Sequence, residues 1–580
     1  MRHSHFGCWM LLVGAAGAVG CDEKSEDDTA RIEPTDPNPL TGTDTGTSDT
    51  GRDSAEPEPD DALVIELTVG SISPGNTDLA EFPGLAGVPN VDDDDENGQA
   101  DWEQAGSAVG DNDYALATVL THGRDIQLSL SGTGLRIYHG EALILGDGAG
   151  AEAVLSGIDE AGLRVEFEDF LDQGILAVND PERGETIALA LTASPLFFNH
   201  HLQSSEEVMA MRVAEFGYNN TPMMDGYRDA LGDAFFTLRS GRYDYDVWVQ
   251  DEFEFAYATA PDAHLDIIFD THRDGQGWPG EGLDDFPEDQ YEGPDWLITN
   301  WGPRNATSLD YGGNFEVSPP VTVDGVDYPY GRVYYGGYGS YTPMRATQNA
   351  VEGMQVQEPF MPDSTWLCVG HIDEFTTTIP DSSAPKGFRL VFADTHSAWE
   401  LLDGLDPSMA IPRYSGGMWE GHNMDTISDM VSDAALRALN DEVQEILDEQ
   451  KEVFVRELGL SEEDIIYMPS LFEEVAGCGS AVAALIPGMA NLIVADVEGT
   501  PTAFIPDPFL RSDVNDQDSD PMIARVRELF PDSIGTVFLD DWSVYHMGLG
   551  EVHCGTNVKR RAANAWWEDS GHLISQEVTR

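Results

Sequence analysis

The stretch Glu551-Val552-His553-Cys554-Gly555-Thr556-Asn557 lies near the C-terminus and sets a cysteine among small and turn-forming residues. It follows the strand-like run 536–539, and this pattern predicts a thiol exposed at a strand edge. A cysteine alone is more often an inert, buried small side chain than a nucleophile. Two other segments change this interpretation, because 248–254 (WVQDEFE) and 369–375 (VGHIDEF) supply an imidazole and two carboxylates. Together these groups suit attack on the cationic, planar carbon of a guanidinium.

Length and charge set broad limits on the class of protein. The chain has 580 residues, of which 41% are hydrophobic, so it is long enough for about two or three domains with separate cores. Its net charge of −77 repels nucleic acid and anionic lipid and attracts Ca²⁺ or basic polypeptides. Solvation of an acidic surface in a salty habitat explains the same charge without any partner. The composition argues against a nucleic-acid partner and leaves cation binding and solvation as alternatives.

Cysteine usage is sparse. Cys8 and Cys21 lie in the N-terminal leader, which leaves Cys368, Cys478 and Cys554 in the body of the chain. An odd and small number of cysteines does not predict a disulfide framework. Cys368 lies in an apolar run and Cys478 in a run rich in Gly and Ala, so we interpret both as structural. Cys554 is the remaining thiol with candidate chemistry.

Residues 1–21 are typical of an export signal. A short basic start precedes an apolar stretch from Cys8 to Val19, and Ala18-Val19-Gly20-Cys21 resembles a lipoprotein cleavage site. The apolar stretch is too short to span a bilayer as a helix. We therefore expect either a cell-envelope lipoprotein, periplasmic or surface-exposed, or a secreted protein. Contact with a membrane is expected only through a lipid anchor at Cys21, and no oligomeric state is predicted.

The next two segments differ in composition. Residues 22–61 are mostly Asp, Thr, Ser, Gly, Pro and Glu, which bury too little apolar surface to offset the entropy of ordering, so a disordered acidic linker is predicted. Residues 62–200 contain short alternating segments separated by turn residues, which predicts a β-sandwich. These segments are 64–67, 114–120, 126–130 and 187–191.

An Asp-rich loop at 93–101 lies within the predicted sandwich. Oxygen-bearing side chains recur at Asp93, Asp95, Asn97 and Asp101, and Gly98 stands where a calcium loop turns sharply. This spacing predicts a Ca²⁺ site, and a solvated acidic loop is the alternative interpretation.

Residues 201–580 alternate strand-like and helical segments, which predicts an α/β domain. One long helix is predicted from apolar residues at four-residue steps between Ile427 and Leu447, with its end near Gly459. No internal repeat is clear from the sequence. Strands are predicted at 246–249, 265–269, 366–369, 389–392, 491–494 and 536–539.

Two acidic residues and a histidine are candidates for binding a guanidinium and for catalysis of its hydrolysis. A guanidinium is a planar fork of N–H donors, and carboxylates bind it bidentately. We expect Asp251 and Asp373 to project from strand ends into one cleft, although either residue alone also suits a turn or cap. Beside a thiol, His371 would supply the proton that a leaving amine needs and would stabilise the Cys554 thiolate.

Five segments resemble the catalytic domain of the protein-arginine deiminases, Ca²⁺-dependent enzymes that convert peptidyl-arginine to peptidyl-citrulline and ammonia. The segments follow the family order over about 200–580, and the upstream β domain resembles the family's immunoglobulin-like (Ig-like) modules. The chain is identified as a bacterial, exported member of this family. The segments are WVQDEFE (248–254), NFEVSPPVTVDGVDYPYGR (314–332), VGHIDEF (369–375), RELGLSEEDI (456–465) and GEVHCGTNVKRR (550–561).

The resemblance implies a pentein fold, a five-bladed α/β propeller, for residues 201–580. It makes Cys554 the nucleophile and His371 the acid and base, with Asp251 and Asp373 holding the guanidinium. A tetrahedral adduct on the sulfur would lose ammonia to leave an S-alkylthiouronium, and water would then release citrulline.

The resemblance also implies contacts with substrate and calcium. Trp248 matches an aromatic residue that lines the substrate channel, and Arg273 matches a residue that contacts the substrate backbone. In the family, calcium orders the cleft through hard oxygen ligands. Gln250, Glu254 and Glu316, with the carbonyls of Gly312 and Phe315, match one calcium site, and Glu252, Asp270, Thr271 and Asp274 match the other.

Two positions depart from the family pattern. Gly275 and Gly548 stand where family members carry arginines at the substrate cleft, so selectivity for a peptide is left open. A hydrolase acting on free arginine or another small amidine is therefore the enzymatic alternative. A non-catalytic, surface-anchored calcium-binding interaction protein is the alternative from another class, since the acidic linker and the Asp-rich loop would suit it.

Overall fold

The computed structural model describes most of the chain after the predicted linker. The predicted export signal at 1–21 and the linker at 22–61 lie outside the described residues, as do Asp95, Asn97 and Asp274 of the predicted calcium sites. Within the described part, no helix is both long and apolar enough to cross a membrane. The described residues are 62–72, 83–94, 98–104, 113–215, 217–271, 273, 282–300, 306–415, 424–563 and 565–569.

The first part of the described chain consists of short strands. Alternating burial along Tyr114–Leu120 and Gln173–Asp180 shows that every second side chain faces a core, as a half-buried strand requires. The strands are β1 (Val64–Val69), β2 (Ser71–Ile72), β3 (Gly84–Gly87), β4 (Tyr114–Leu120), β5 (Ile126–Gly132), β6 (Leu135–His139), β7 (Ala142–Gly146), β8 (Glu152–Leu155), β9 (Glu160–Phe167), β10 (Gln173–Asp180) and β11 (Glu185–Ala193).

These described strands form two sheets, in the orders β1-β4-β9-β6-β7 and β2-β3-β11-β10-β5-β8. Neighbouring strands run antiparallel, except that β3 and β11 run parallel. Leu163 and Val165 of the first sheet and Leu128 and Leu176 of the second belong to one buried core. The segment therefore folds as a β-sandwich, with the predicted alternating runs in β1, β4, β5 and β11.

The rest of the described chain alternates strands and helices. Its strands are β12 (Phe197–Phe198), β13 (Ser205–Arg212), β14 (Phe235–Arg239), β15 (Phe253–Ala260), β16 (Ala263–Asp270), β17 (Trp296–Asn300), β18 (Phe315–Val317), β19 (Val321–Val323), β20 (Val326–Tyr328), β21 (Val333–Tyr335), β22 (Thr376–Pro380), β23 (Phe388–Asp394), β24 (Ile465–Pro469), β25 (Phe472–Glu474), β26 (Val482–Ala484), β27 (Ile493–Val497), β28 (Thr500–Pro506), β29 (Gly535–Leu539) and β30 (Thr556–Arg560). Its helices are α1 (Thr221–Leu231), α2 (Val249–Glu252), α3 (Asp285–Tyr291), α4 (Arg345–Gly353), α5 (Thr395–Asp403), α6 (Ile427–Val431), α7 (Ala434–Leu458), α8 (Pro521–Leu529) and α9 (Trp566–Asp569).

One ββαβ pattern recurs through this part of the chain. β22 pairs antiparallel with β23, and after a helical crossover β24 pairs parallel with β23. The same pairing joins β27, β28, α8 and β29, and also β15, β16, α3 and β17. β30, β13, α1 and β14 repeat it, with the late strand β30 in the first position. β18, β21, α4 and a parallel bridge at Phe360 give a fifth unit among the described residues.

The repeat explains why the region alternates strands with helices. A parallel pair needs a long crossover, which is usually a helix, whereas an antiparallel pair needs only a turn. The helical content of the crossovers differs widely, from the seven residues of α3 to a region containing α5, α6 and α7. One unit also combines strands from both ends of the domain. For these reasons the repeat was not visible in the sequence.

The predicted long helix is wrong in one respect, because two helices, α6 and α7, occupy that region. Asp433 lies between them, and its carboxylate accepts hydrogen bonds from the backbone N–H groups of Ala435 at 2.9 Å and Leu436 at 3.0 Å. It is therefore the N-cap of α7. Gly459 ends α7 in the left-handed conformation, with φ 59°, as its position predicted. The break was not predicted because the apolar residues of α6 continue the four-residue spacing of α7.

Two of the predicted strands are wrong. Segment 246–249 leads into the helix α2, and segment 366–369 forms a turn with a bridge between Leu367 and Val482. Both segments are short apolar runs, for which strand and buried turn cannot be separated by pattern alone. The other predicted strands overlap β16, β23, β27 and β29.

A disulfide joins Cys368 and Cys478, whose Cα atoms are 5.5 Å apart. The odd number of cysteines in the body of the chain predicted no disulfide framework, and for this pair that expectation is wrong. The two residues are 110 positions apart, so only folding brings their loops together. Of the described cysteines, Cys554 is a free and buried thiol.

Non-reducing peptide mapping of the purified protein should recover Cys368 and Cys478 in one cross-linked pair of peptides. Replacing both residues with serine should lower the temperature of thermal unfolding, because loss of a native disulfide typically costs about 2–5 kcal/mol. The single variant Cys554→Ser is the matched control and should keep the transition of the unaltered protein. An unchanged transition in the double variant would show that the cross-link does not stabilise the fold.

Candidate active site

Cys554 lies in a turn directly before β30, and its side chain is 4% exposed. The prediction of a thiol at an exposed strand edge is therefore wrong. The thiol donates to Oδ2 of Asp373 over 3.4 Å, and Nδ2 of Asn491 donates to the sulfur over 3.3 Å. Oδ1 of Asn491 also accepts from the backbone N–H groups of His553 at 2.9 Å and of Cys554 at 3.3 Å. Asn491, which sequence reasoning did not select, thus holds the turn that carries the thiol.

Asp251 and Asp373 lie in short helical turns and not at strand ends as predicted. Asp251 belongs to α2, where its backbone carbonyl accepts from Oγ1 of Thr271 at 2.6 Å. Asp373 belongs to the 3-10 turn Ile372–Glu374, which forms because the Glu374 carboxylate accepts from the backbone N–H of His371 at 2.9 Å. The backbone N–H of Gln250 in α2 donates to the carbonyl of Cys554 at 3.2 Å. α2 is therefore joined directly to the cysteine turn.

Gly313 shows how closely the acidic groups and the histidine converge. A Cβ atom at this position would lie 2.6 Å from Oδ1 of Asp251, 2.8 Å from Nδ1 of His371 and 3.3 Å from Oδ2 of Asp373. The first two distances are shorter than real side chains accept, so a larger residue would force these groups apart. With Cys554 in contact with Asp373, the thiol, the imidazole and both carboxylates occupy one place in the fold.

The ring of His371 is buried and has an oxygen partner near each nitrogen. Nε2 lies 2.7 Å from the carbonyl oxygen of Ser308, which only accepts, so Nε2 carries a proton. Nδ1 lies 3.4 Å from Oδ1 of Asp251. Burial lowers the pKa of His371, but the negative charges of Asp251, Asp373 and Glu374 outweigh it and raise this pKa to about 9. The ring is therefore an imidazolium at neutral pH.

The same negative charges also raise the pKa of the nucleophile. Burial raises the pKa of the Cys554 thiol well above its ordinary value, and the carboxylates of Asp373 and Asp251 raise it further. The sulfur is thus protonated in this arrangement. A cation bound between the two carboxylates would offset their charge and favour the thiolate.

The indole of Trp248 forms a wall beside the thiol. A Cβ atom on Gly550 would lie 2.4 Å from the indole and 3.1 Å from Cβ of Cys554, and one on Gly548 would lie 2.9 Å from the indole. The ring also meets Tyr545 edge to face, with centroids 5.7 Å apart. Gly548, one of the two departures from the family pattern, therefore leaves the space that the indole fills.

Arg273 is 8% exposed and takes part in a buried ion pair. Its guanidinium donates to Oε2 of Glu252 at 2.9 Å and also to the carboxylate of Asp246. The predicted contact between Arg273 and a substrate backbone stays a prediction. Sequence reasoning missed the ion pair because Asp246 was interpreted as part of a strand.

The first predicted calcium group surrounds a cavity beside the thiol. Gln250, Glu254, Phe315 and Glu316 line this cavity, which has a volume of about 50 Å³, and a Cβ atom on Gly312 would lie 3.1 Å from Oε1 of Glu254. Nε2 of Gln250 donates to the Glu254 carboxylate. Burial raises the pKa of Glu316 to about 7, and burial together with the charge of Glu316 raises the pKa of Glu254 well above its ordinary value.

The other predicted calcium residues are described only in part. Glu252 and Thr271 lie together, because the backbone N–H of Thr271 donates to the carbonyl of Glu252 at 2.9 Å, and Asp270 precedes Thr271 at the end of β16. In the Asp-rich loop, Oδ2 of Asp101 accepts from the backbone N–H of Asp94 at 3.1 Å, and the Asp93 carboxylate accepts from the backbone of Gly98. The remaining members of both groups lie outside the described residues.

Two histidines that were not predicted as site residues lie at the cavity. Nδ1 of His553 is 2.8 Å from Oδ2 of Asp373, and its Nε2 is 3.1 Å from Oε1 of Glu316. His201 lines the same cavity. The position of His553 directly before Cys554 could have identified it as a site residue. His201 is about 350 residues upstream, and no sequence signal pointed to it.

Comparison with known sequences assigns this domain to a family. A sequence model of the family described as Protein-arginine deiminase (PAD) matches residues 186–568. The chain belongs to the protein-arginine deiminase family. This confirms the family resemblance indicated by the five motifs, and all four converging groups lie inside the matched protein-arginine deiminase region.

Individual protein-arginine deiminases match at moderate identity. The type-4 enzyme of Rattus norvegicus is 37% identical over 335 residues, which cover 56% of this chain and 48% of the relative. The type-1 enzyme of Homo sapiens is 31% identical over 439 residues, which cover 70% of this chain and 61% of the relative. The chain thus spans about half the length of most of the curated relatives it matches.

Alkylation of Cys554 by iodoacetamide at pH 8 should be faster in Asp373→Asn than in the unaltered protein. Removing one negative charge beside the sulfur lowers the thiol pKa, and a shift of about half a unit to one unit gives a roughly threefold to tenfold faster rate. Mass spectrometry of the Cys554 peptide against time measures this rate. Asp441→Asn, on the exposed face of α7, is the matched control and should not change it. An equal or slower rate in Asp373→Asn would contradict the electrostatic account of the thiol.

Proposed function

We propose that this protein hydrolyses the guanidinium of peptidyl-arginine to give peptidyl-citrulline and ammonia in a calcium-dependent reaction. The convergence of Cys554, His371, Asp251 and Asp373 around Gly313 carries this proposal. These are a nucleophile, an acid and two guanidinium-binding carboxylates. The proposal is supported by relatives that are named as protein-arginine deiminases.

Substrate binding prepares the nucleophile. Asp251 and Asp373 accept hydrogen bonds from the N–H groups of the guanidinium and hold its plane next to the sulfur. The positive charge of the substrate offsets the two carboxylates that raise the pKa of the Cys554 thiol. The thiol proton passes to Asp373, to which Sγ donates at 3.4 Å. The thiolate therefore forms when the substrate is in place.

The sulfur then attacks the central guanidinium carbon and forms a C–S bond in a tetrahedral adduct. His371 is an imidazolium at neutral pH, and it gives a proton to the departing nitrogen, so that the C–N bond breaks and ammonia leaves. The S-alkylthiouronium remains on Cys554. Neutral His371 then takes one proton from water as the oxygen adds to the same carbon. The C–S bond breaks, the remaining hydroxyl proton passes to the departing sulfur, and citrulline and the Cys554 thiol are released, while Asp373 gives up its proton to solvent.

Calcium is proposed to bind Gln250, Glu254 and Glu316 with the carbonyls of Gly312 and Phe315. This oxygen-rich donor set fits the ion, and Oε1 of Glu316 is buried without a hydrogen-bond partner. Bound calcium supplies positive charge against the buried carboxylates. The same residues adjoin Asp251 in α2 and Gly313, so the chain itself couples the calcium group to the guanidinium-binding groups. We propose a second site at Glu252, Asp270, Thr271 and Asp274, and a third at Asp93, Asp95, Asn97 and Asp101.

The wider arrangement is also part of the proposal. Five ββαβ units, with β30 joining the late chain to β13, support a closed five-bladed propeller of the pentein type. We propose that the β-sandwich before it is an Ig-like module. The Cys368–Cys478 disulfide supports export, because disulfides persist in oxidising compartments. A bacterial cell-envelope lipoprotein anchored at Cys21, or a secreted protein, is the proposed form.

The purified protein should form citrulline from an arginine-containing peptide with calcium, and none with a chelator. Cys554→Ala should abolish turnover, because no other described thiol is free to attack, and Asp441→Asn should retain it. Citrulline is measured colorimetrically and the modified peptide by mass spectrometry. No citrulline at any calcium concentration would overturn the proposed activity, and equal activity with chelator would overturn the calcium requirement. Turnover of free arginine but not of the peptide would favour a small-molecule amidine hydrolase.

The pH dependence of kcat should report on His371. The imidazolium donates the proton to ammonia, and it is lost as pH rises through its pKa of about 9. We therefore expect kcat to be retained through neutral pH and to fall above about pH 9. Steady-state assays at saturating peptide and calcium across this range provide the test. A loss of kcat that begins between pH 6 and 7 would contradict the role of His371 as the acid.

A further inference from the structure

His201, Glu316 and His553 lie together on the wall of the cavity beside the thiol. One ligand atom from each residue lies within 4.8 Å of the others, and Nε2 of His553 is 3.1 Å from Oε1 of Glu316. In a tetrahedral zinc site with bonds of about 2 Å, neighbouring ligand atoms are about 3.3 Å apart. The pair of His553 and Glu316 already has this spacing, and a small side-chain movement would bring in His201.

Both imidazoles have Nδ1 held by oxygen atoms. Nδ1 of His553 is 2.8 Å from the carboxylate of Asp373, and Nδ1 of His201 is 3.1 Å from the backbone carbonyl of Thr378. These oxygens accept a hydrogen bond, so each Nδ1 donates, and Nε2 of a neutral ring keeps its lone pair. An oxygen acceptor on the far nitrogen is the usual support of a metal-binding histidine. A neutral ring at either position is therefore in the tautomer that binds a metal through Nε2.

The carboxylate between them is suited to a cation. Glu316 is 7% exposed, and its Oε1 has no hydrogen-bond partner although His553 lies at ion-pair distance. The cavity of about 50 Å³ exceeds the roughly 10–15 Å³ that one water needs, so an ion and a water fit together.

Charged groups of both signs lie around the cavity. Arg560 lines the cavity and opposes a cation, although its guanidinium is engaged with the carbonyls of Gln203 at 3.0 Å and Val494 at 2.8 Å. Three carboxylates attract a cation and so oppose the effect of Arg560. They are Glu254 and Glu316 on the cavity wall and Asp373 behind His553.

We propose that His201, Glu316 and His553 form a zinc site, with water as the fourth ligand. Two imidazoles and one carboxylate suit zinc and its transition-metal neighbours, whereas calcium takes oxygen ligands and gains little from imidazole. The site shares Glu316 with the proposed calcium group, so the two ions compete. Zinc also holds His553 beside Cys554 and Asp373. Zinc is therefore an antagonist of calcium. This antagonism rests on the proposed function, whereas the binding of zinc does not depend on it.

Cobalt(II) tests the binding site without any assay of activity. Titrated into the calcium-free, full-length protein, it should give the intense visible absorption of a tetrahedral site, and added zinc should remove this signal. His201→Asn should weaken cobalt binding at least about tenfold, because loss of a ligand costs no less than loss of an outer-shell partner. His200→Asn is the matched control, since His200 is similarly buried, at 9% exposure against 8%, but is not part of the cluster.

Three results of this titration would overturn the zinc site. They are the absence of a tetrahedral spectrum, an unchanged affinity in His201→Asn, and an equal loss in His201→Asn and His200→Asn. A tenfold loss confined to His201→Asn would support it. This experiment remains decisive if the protein proves to have no deiminase activity, so the two proposals fail separately.

Citrulline formation tests the antagonism. At a fixed zinc concentration, the calcium concentration that gives half-maximal activity should rise several-fold, and excess calcium should restore the rate. In His201→Asn this shift should largely disappear, whereas His200→Asn should keep it. An active enzyme that binds cobalt as described but shows no calcium shift would overturn the antagonism.

Discussion

The site depends on keeping several carboxylates close together and away from water. Burying one charge is costly unless a partner offsets it, and burying neighbouring charges of one sign adds their repulsion. Within the described chain, His371 lies beside Asp251, and His553 lies beside Asp373 and Glu316, yet the pKa values of Glu254 and Glu316 remain raised. The site therefore suits cations, which agrees with the substrate and the metals that we propose. The carboxylates concerned are Asp251, Glu254, Glu316 and Asp373.

The ββαβ units bring these charges together from distant parts of the chain. β30 follows the cysteine turn and pairs with β13, so the late chain lies against the start of the domain. The bond from the backbone of Gln250 to the carbonyl of Cys554 then fixes α2 beside that turn. Glycines at 312 and 313 allow the acidic groups to approach closely. The backbone thus sets the distances, and the side chains set the charge.

One set of negative charges keeps both the acid and the nucleophile protonated. The carboxylates raise the pKa of His371 and also the pKa of Cys554, so both groups hold protons until a cation arrives. A guanidinium reverses this balance at the sulfur, which lies against Asp373. Glu316 belongs to both proposed metal sites. It lines the cavity with the other residues of the proposed calcium group, and it lies beside His553 of the proposed zinc site.

Local patterns in the sequence were sufficient for the family and for much of the architecture. Alternation identified the strands of the sandwich, and the motifs around Asp251, His371 and Cys554 identified the family, because each pattern acts over a few neighbouring residues. The short helix α2, the break at Asp433, the disulfide, Asn491 and His201 came from folding alone. Each of these features depends on contacts between residues that are far apart in the chain, or on a competition between local signals. The pairing of strands and the packing of the core decide the outcome.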